Sequence, residues 1–176
     1  MTGARVLADH GVDLPLEEIT RRLIASVVAA VARELVWQPG ARELLTELRD
    51  AGVRCALVTM SYRELAEAVL TQAPAEVFEV VVTGDEVEHG KPHPEPYLRA
   101  AERLGVDVTD CIAVEDSPPG ITSALASGAR TIAVQHIVPV EERPGLSRLS
   151  TLEGVGLADL RAVLHGETID RLRPAR

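Results

Sequence analysis

Four short, nearly unbroken apolar runs, spaced by helical stretches, constrain this chain more than any other feature; they occupy residues 53–59, 77–82, 110–114 and 131–134. Half-buried strands alternate apolar with polar residues, whereas parallel strands covered on both faces read as continuous Val, Ile, Leu and Ala. The segments between them carry helix punctuation. Leu44, Leu45 and Leu48 share one face of a helix predicted over 41–51, introduced by Pro39-Gly40 and closed by Gly52. Ser61-Tyr62-Arg63-Glu64 has the form of a capping box and opens a helix to about residue 70. Further helices are predicted over 94–104, ended by Gly105, and over 157–164. Another runs over 118–127, with Ser117 as N-cap and Pro118 at the first helical position. Upstream, Pro15 and Glu17-Glu18 open a helix to about residue 36, whose apolar stretch 23–32 is expected to be buried; the first dozen residues show no clear period. Strands alternating with helices predict an α/β fold, a Rossmann-like doubly wound parallel sheet. Ligands of such sheets bind outside the carboxyl ends of the strands.

That rule selects three groups of polar residues. Thr59, Met60 and Ser61 follow the first run; Lys91 lies in a Gly-Lys-Pro turn after the second; Glu115-Asp116-Ser117 follow the third. A hydroxyl, an ammonium and two adjacent carboxylates on one rim describe a site for a metal-bound phosphate. Hydroxyls and helix N-termini donate to phosphate oxygens, an ammonium supplies a point charge, and paired carboxylates suit Mg²⁺. A strand-end Thr is more commonly a turn residue, and Ser61 also reads as a helix cap. Glu115-Asp116 alone fits a solvated turn, although two carboxylates after a buried strand repel each other unless a cation is present; Lys91 is the least ordinary of the set. Seventeen of the 18 cationic side chains are Arg, and the single Lys sits at the rim, where a compact ammonium and a planar guanidinium are not interchangeable.

Several function classes fall away. A net charge of −9 opposes a surface that neutralises nucleic-acid phosphates, and the four aromatics (Trp37, Tyr62, Phe78, Tyr97) are too few for base stacking. The longest apolar stretch is well short of the ~20 residues that span a bilayer. Cys55 and Cys111 each sit in a short apolar run, offering neither a disulfide framework nor a CxxC site, and are expected as reduced thiols in a cytoplasmic protein. His89 and His93 stand four apart, but Gly90 and Pro92 intervene, so no helix aligns them as a metal pair. Arg171, Arg173 and Arg176 read as a solvated tail. A chain of 176 residues suits one domain that buries roughly 70% of its unfolded surface.

Three motifs in order resemble those of the haloacid-dehalogenase-like (HAD) hydrolases, in the phosphatase and phosphomutase branch that includes β-phosphoglucomutase and phosphoglycolate phosphatase. They are Leu57-Val58-Thr59, then Gly90-Lys91-Pro92-His93-Pro94-Glu95-Pro96-Tyr97, then Ala113-Val114-Glu115-Asp116-Ser117-Pro118-Pro119-Gly120-Ile121. The likeness covers roughly residues 37–165 and implies a helical-cap remnant over 1–38 and an α/β core over 39–176. It implies that Thr59, Met60, Ser61 and Lys91 bind the phosphoryl group of a small phosphorylated metabolite, with Thr59 and Lys91 in catalytic roles. It implies further that Glu115 and Asp116 serve Mg²⁺; charge and the short apolar stretch leave neither nucleic acid nor membrane as an expected partner.

One motif of that family has no counterpart. The family begins with an apolar strand ending in Asp-x-Asp, which supplies the nucleophile; here no two aspartates stand two apart. The resemblance therefore implies a chain that starts inside the cap and lacks the central strand of its sheet. Residues 1–176 alone are then expected to be marginally stable and catalytically deficient. The open strand edges favour self-association. The alternative expectation is a catalytically inactive fragment or pseudoenzyme that binds phosphate or a partner protein.

Overall fold

The computed structural model describes residues 3–172. In chain order the helices are α1 (Gly3–Asp9), α2 (Leu16–Arg33), α3 (Ala41–Asp50), α4 (Arg63–Leu70), α5 (Glu95–Leu104), α6 (Pro118–Ser127) and α7 (Leu157–Leu164). The strands are β1 (Cys55–Val58), β2 (Phe78–Val82), β3 (Ile112–Glu115), β4 (Arg130–Val134), β5 (Leu146–Leu149) and β6 (Asp170–Arg171). Every strand pairing is parallel, as the alternation of strands and helices requires.

The strands form two ladders, β1-β2 and β3-β4-β5-β6. Among the described residues no strand joins β1 to β3, so each presents one open edge to the gap between them. The two edges do not close on each other.

β4 explains why its sequence shows no alternation. Ile132 and Val134 face one side, where they meet Leu44 of α3 and Leu160 and Val163 of α7. Ala133 faces the other side with Ile121 of α6. Both faces are covered, and Thr131, Ile132 and Ala133 have no exposed surface. Ser117 caps α6 by accepting from the Gly120 N–H at 3.2 Å, and α5 and α6 end at Gly105 and Gly128, as their punctuation predicts.

The structure departs from the sequence reading at five places. α1 forms where no period was legible, because it is short and packs on α2 with only Ala4 buried. α2 stops at Arg33, and the stretch 23–32 is largely exposed, with Val27 at 45%; only Ile19 of this helix is buried. Neighbours cover one stripe of α2, α1 and α4 among them, and a stripe is all that an amphipathic helix needs. α4 begins at Arg63 with Tyr62 as its N-cap residue and no side-chain cap, so the Ser61–Glu64 capping box does not form. β5 has no apolar run: its Ser147 is fully buried because its hydroxyl accepts from the Ile169 N–H at 3.1 Å. Arg171 belongs to β6 and pairs with Asp159 at 2.6 Å rather than forming a tail, while Arg173 and Arg176 lie outside the described residues.

A partly buried polar hub ties the carboxyl end of β2 to two helices. Glu86 accepts from the backbone N–H and hydroxyl of Thr83, each at 3.0 Å, and pairs with Arg63 of α4 at 2.5 Å and Arg103 of α5 at 3.3 Å. Burial pushes the Glu86 carboxyl up, but the Thr83 and Arg63 donors outweigh it and hold the group down to about 2. Its pKa in the unfolded chain is about 4.3. The stabilisation is therefore complete above that value and is lost as pH falls through the folded one. Glu86→Gln is expected to cost about 1–2 kcal/mol at neutral pH. Urea unfolding should show the gap between wild type and variant closing between about pH 4.3 and 2; a pH-independent gap would mean that Glu86 acts through packing instead.

Candidate active site

The three rim groups converge because residues at the carboxyl ends of β1 and β3 line one cleft, into which the loop after β2 brings Lys91. A cleft of about 560 Å³ opens between their carboxyl ends, lined by Thr59, Met60, Lys91, Glu115 and Asp116, with Gln38 and Leu152 on its far wall. A broader depression of about 770 Å³ along α3 is walled by charges of both signs, Arg42, Glu43, Glu47 and Asp50. It lacks the convergence of an ammonium, a hydroxyl and paired carboxylates that distinguishes the first cleft.

Lys91 reaches in from the loop between β2 and α5. Its ammonium donates to the Val58 carbonyl at 3.0 Å, on the open edge of β1, and forms an ion pair with Glu115. Both side chains are largely buried, at 11% and 6% exposure. Glu115 is held from every side. Tyr97 donates its hydroxyl to the oxygen that meets Lys91, and the other oxygen accepts from the Ser117 hydroxyl and the Asp116 N–H, each at 3.2 Å. Gly120 lies directly beneath: a Cβ there would stand 2.0 Å from the Glu115 carboxylate. The Lys91 ammonium also lies 5.0 Å from the Tyr97 ring centroid, within reach of a cation–π attraction. Burial, and then the Glu115 charge, raise the Tyr97 hydroxyl pKa far above its ordinary value, so it stays a proton donor.

The remaining groups differ in how free they are. Thr59 does act as a turn residue: its hydroxyl oxygen accepts from the Ser61 N–H at 3.1 Å while the side chain lines the cleft. Ser61 itself is half-buried, and its carbonyl accepts from the Gly84 N–H at 3.0 Å. Met60 is partly exposed, and its sulfur accepts from the Lys91 N–H at 3.2 Å. Asp116 is exposed on the cleft, and among the described residues nothing hydrogen-bonds to its carboxylate. A free hard-oxygen donor beside a buried carboxylate fits the donor set that Mg²⁺ takes, one or two carboxylates with the rest of its sphere left to water or phosphate.

Sequence reasoning placed Lys91, Thr59 and Glu115-Asp116 on one rim but did not select Tyr97 or Gly120. Tyr97 had a signal: it is the one aromatic in the helix after Lys91, six residues on. Gly120 had none, since only the fold brings a carboxylate over it.

The histidine reading needs correcting. No helix aligns His89 and His93, but the loop does: His93 N–H bonds back to the Gly90 carbonyl at 3.0 Å, and the ring centroids come within 4.7 Å. With Glu95 they offer three ligand atoms within 4.8 Å of one another.

Comparison with known proteins agrees with this geometry. A family model described as haloacid dehalogenase-like hydrolase matches residues 5–128. Hexitol phosphatase A of Escherichia coli (strain K12) is 43% identical over 117 residues, which is 66% of this chain and 53% of that protein. Validoxylamine A 7'-phosphate phosphatase of Streptomyces hygroscopicus subsp. limoneus is 37% identical over 122 residues, 69% of this chain and 55% of that one. The chain thus spans about half the length of these curated relatives. Among solved structures, CbbY from Rhodobacter sphaeroides in complex with phosphate superposes with a TM-score of 0.76 at 34% identity, covering 85% of this chain and 70% of that one. Among the described residues no helix is long and apolar enough to cross a membrane.

Proposed function

Because this chain belongs to the haloacid dehalogenase-like hydrolases, we propose that it forms the phosphate- and Mg²⁺-binding part of a phosphoric-ester hydrolase, a phosphatase or phosphomutase acting on a small phosphorylated metabolite. The observation that carries this reading is the convergence of Lys91, Thr59 and the Glu115-Asp116 pair on one cleft. Lys91 neutralises the phosphoryl group, held in place by its contacts to Val58 and Glu115. The Thr59 oxygen already accepts from Ser61 N–H, which leaves its own proton to donate to a phosphate oxygen. Met60 completes that wall, and Ser61, which does not line the cleft, supports it through the N–H it gives to Thr59. Glu115 and Asp116 hold Mg²⁺, Asp116 directly and Glu115 from its fixed position beside Lys91. Bound there, Mg²⁺ offsets phosphoryl charge and orients the group for displacement.

The attacking carboxylate has no candidate in this chain, where no two aspartates stand two apart. The reading takes it from an added strand lodged between β1 and β3, where an aspartate would attack phosphorus, break the ester P–O bond and release the alcohol, leaving an aspartyl-phosphate that water then hydrolyses to inorganic phosphate and the free carboxylate. The same observation favours a second reading, a phosphate-binding module without turnover. One experiment separates the two. Inorganic phosphate and Mg²⁺ are titrated into the chain by calorimetry, and p-nitrophenyl phosphate hydrolysis is followed with and without an apolar peptide ending in Asp-x-Asp. Both readings require saturable phosphate binding that Lys91→Met abolishes; no binding would sink both. Turnover that appears only with the peptide selects the hydrolase, and its absence selects the binding module. Robust turnover by the chain alone would overturn the assignment of the nucleophile.

A further inference from the structure

The loop that carries Lys91 holds a second cluster of metal-ligating groups, outside the cleft. His89 and His93 bracket Gly90-Lys91-Pro92, both imidazoles are exposed, and Glu95 follows at the start of α5. Glu95 is oriented by the chain around it. Its Oε1 accepts from the Glu88 N–H at 2.9 Å and from Arg99 at 3.2 Å, while Oε2 accepts from the His89 N–H at 2.8 Å and meets His89 Nδ1 at 3.2 Å. His93 Nδ1 accepts from the Glu95 N–H at 3.2 Å, which sets the ring over the start of the helix. Two imidazoles and a carboxylate oxygen thus lie within 4.8 Å of one another, with the carboxylate already fixed by its own hydrogen bonds.

We propose that His89, His93 and Glu95 form a transition-metal site, taking a borderline divalent cation such as Zn²⁺ and clamping the loop that presents Lys91. The donor chemistry separates this site from the cleft. Imidazole nitrogens select zinc-like ions, whereas carboxylates, phosphate and water suit Mg²⁺. Closing from 4.8 Å to a shared ion asks only for rotation of two exposed side chains, and three protein donors leave a position open to water. The carboxylate held by Glu88 N–H and Arg99 is the kind of outer support that orients a ligand before the ion arrives. An ion there joins both sides of Lys91, whose own N–H is tied to Met60 in the cleft wall, so occupancy would stiffen the phosphate contact.

This site stands independently of the phosphatase reading. The test titrates Zn²⁺ into the full chain against a chromogenic chelator and follows imidazole signals by NMR, with Mg²⁺ as the second ion. One Zn²⁺ per chain is expected, with His89 and His93 resonances moving for Zn²⁺ and not for Mg²⁺. His89→Asn/His93→Asn should weaken binding at least about tenfold, and both positions are exposed, so folding is not at stake. Asp116→Asn, at an exposed carboxylate that takes no hydrogen bond among the described residues, should leave Zn²⁺ affinity unchanged. Undiminished binding by the histidine variant, binding that follows Asp116, or no saturable binding would each overturn the proposal.

Discussion

Replacing Lys91 by Met is expected to lower the stability of this fold by about 3 kcal/mol, and adding Glu115→Gln to restore most of that loss. The reason lies in the cleft. Lys91 and Glu115 are 11% and 6% exposed, and their pairing neutralises two charges removed from water. Deleting the ammonium leaves a buried carboxylate without its cation, which costs far more than the pair itself contributes. Tyr97, Ser117 and the Asp116 N–H still serve Glu115, which keeps the loss at the lower end of the usual range. In Lys91→Met/Glu115→Gln no charge remains to be desolvated. Urea denaturation of the four proteins of this double-mutant cycle measures the coupling, expected at about 1–3 kcal/mol. Equal stability of single and double variants would mean that Lys91 acts through the Val58 carbonyl rather than through Glu115.

Gly40→Ala should be comparably damaging, at about 3 kcal/mol, through backbone geometry rather than charge. Gly40 has φ +82°, and a Cβ there would lie 2.2 Å from the Leu152 carbonyl carbon and 2.3 Å from the Glu153 nitrogen. Both are backbone atoms, so no rotamer change relieves the collision. Leu152 N–H and the Thr151 hydroxyl bond to the Pro39 carbonyl at 3.0 and 3.1 Å, fastening the start of α3 to the segment that supplies the far wall of the cleft. Pushing these apart displaces Gln38 and Leu152, both of which line the cleft. Thermal unfolding should fall by about 6–12 °C, with phosphate affinity falling alongside. An unchanged melting temperature would show that the 150–154 loop yields without cost.

The parts of this fold that were legible are those that local pattern encodes. β1 to β4 announce themselves as apolar runs, most fully β4, which is covered on both faces, whereas Val114 of β3 is exposed beside the gap; Ser117-Pro118 marks the start of α6 because a cap is a contact between close neighbours in the chain. β5 and β6 were not legible: Ser147 and Arg148 look like loop residues until Ile169 and Asp170 arrive as partners. The Ser61–Glu64 pattern misled for the complementary reason. Its local signal was sound, but Ser61 is held by Thr59 and Gly84 instead of capping a helix.

The four apolar runs that dominate the sequence therefore determined the α/β class, the parallel sense of the pairings and the rim where function collects. A single lysine in that rim pointed to the phosphate contact. What only the tertiary structure decided is how charges meet across it. Lys91 and Glu115 are 24 residues apart, and no period in the sequence relates them; packing of α5 and α6 beside β3 brings Tyr97 and Gly120 to the same carboxylate. Likewise the gap between β1 and β3, and the meeting of His89 with His93 across a turn, are properties of spatial arrangement. Periodicity reports which face of an element is buried, but the partner of a buried charge is set by topology.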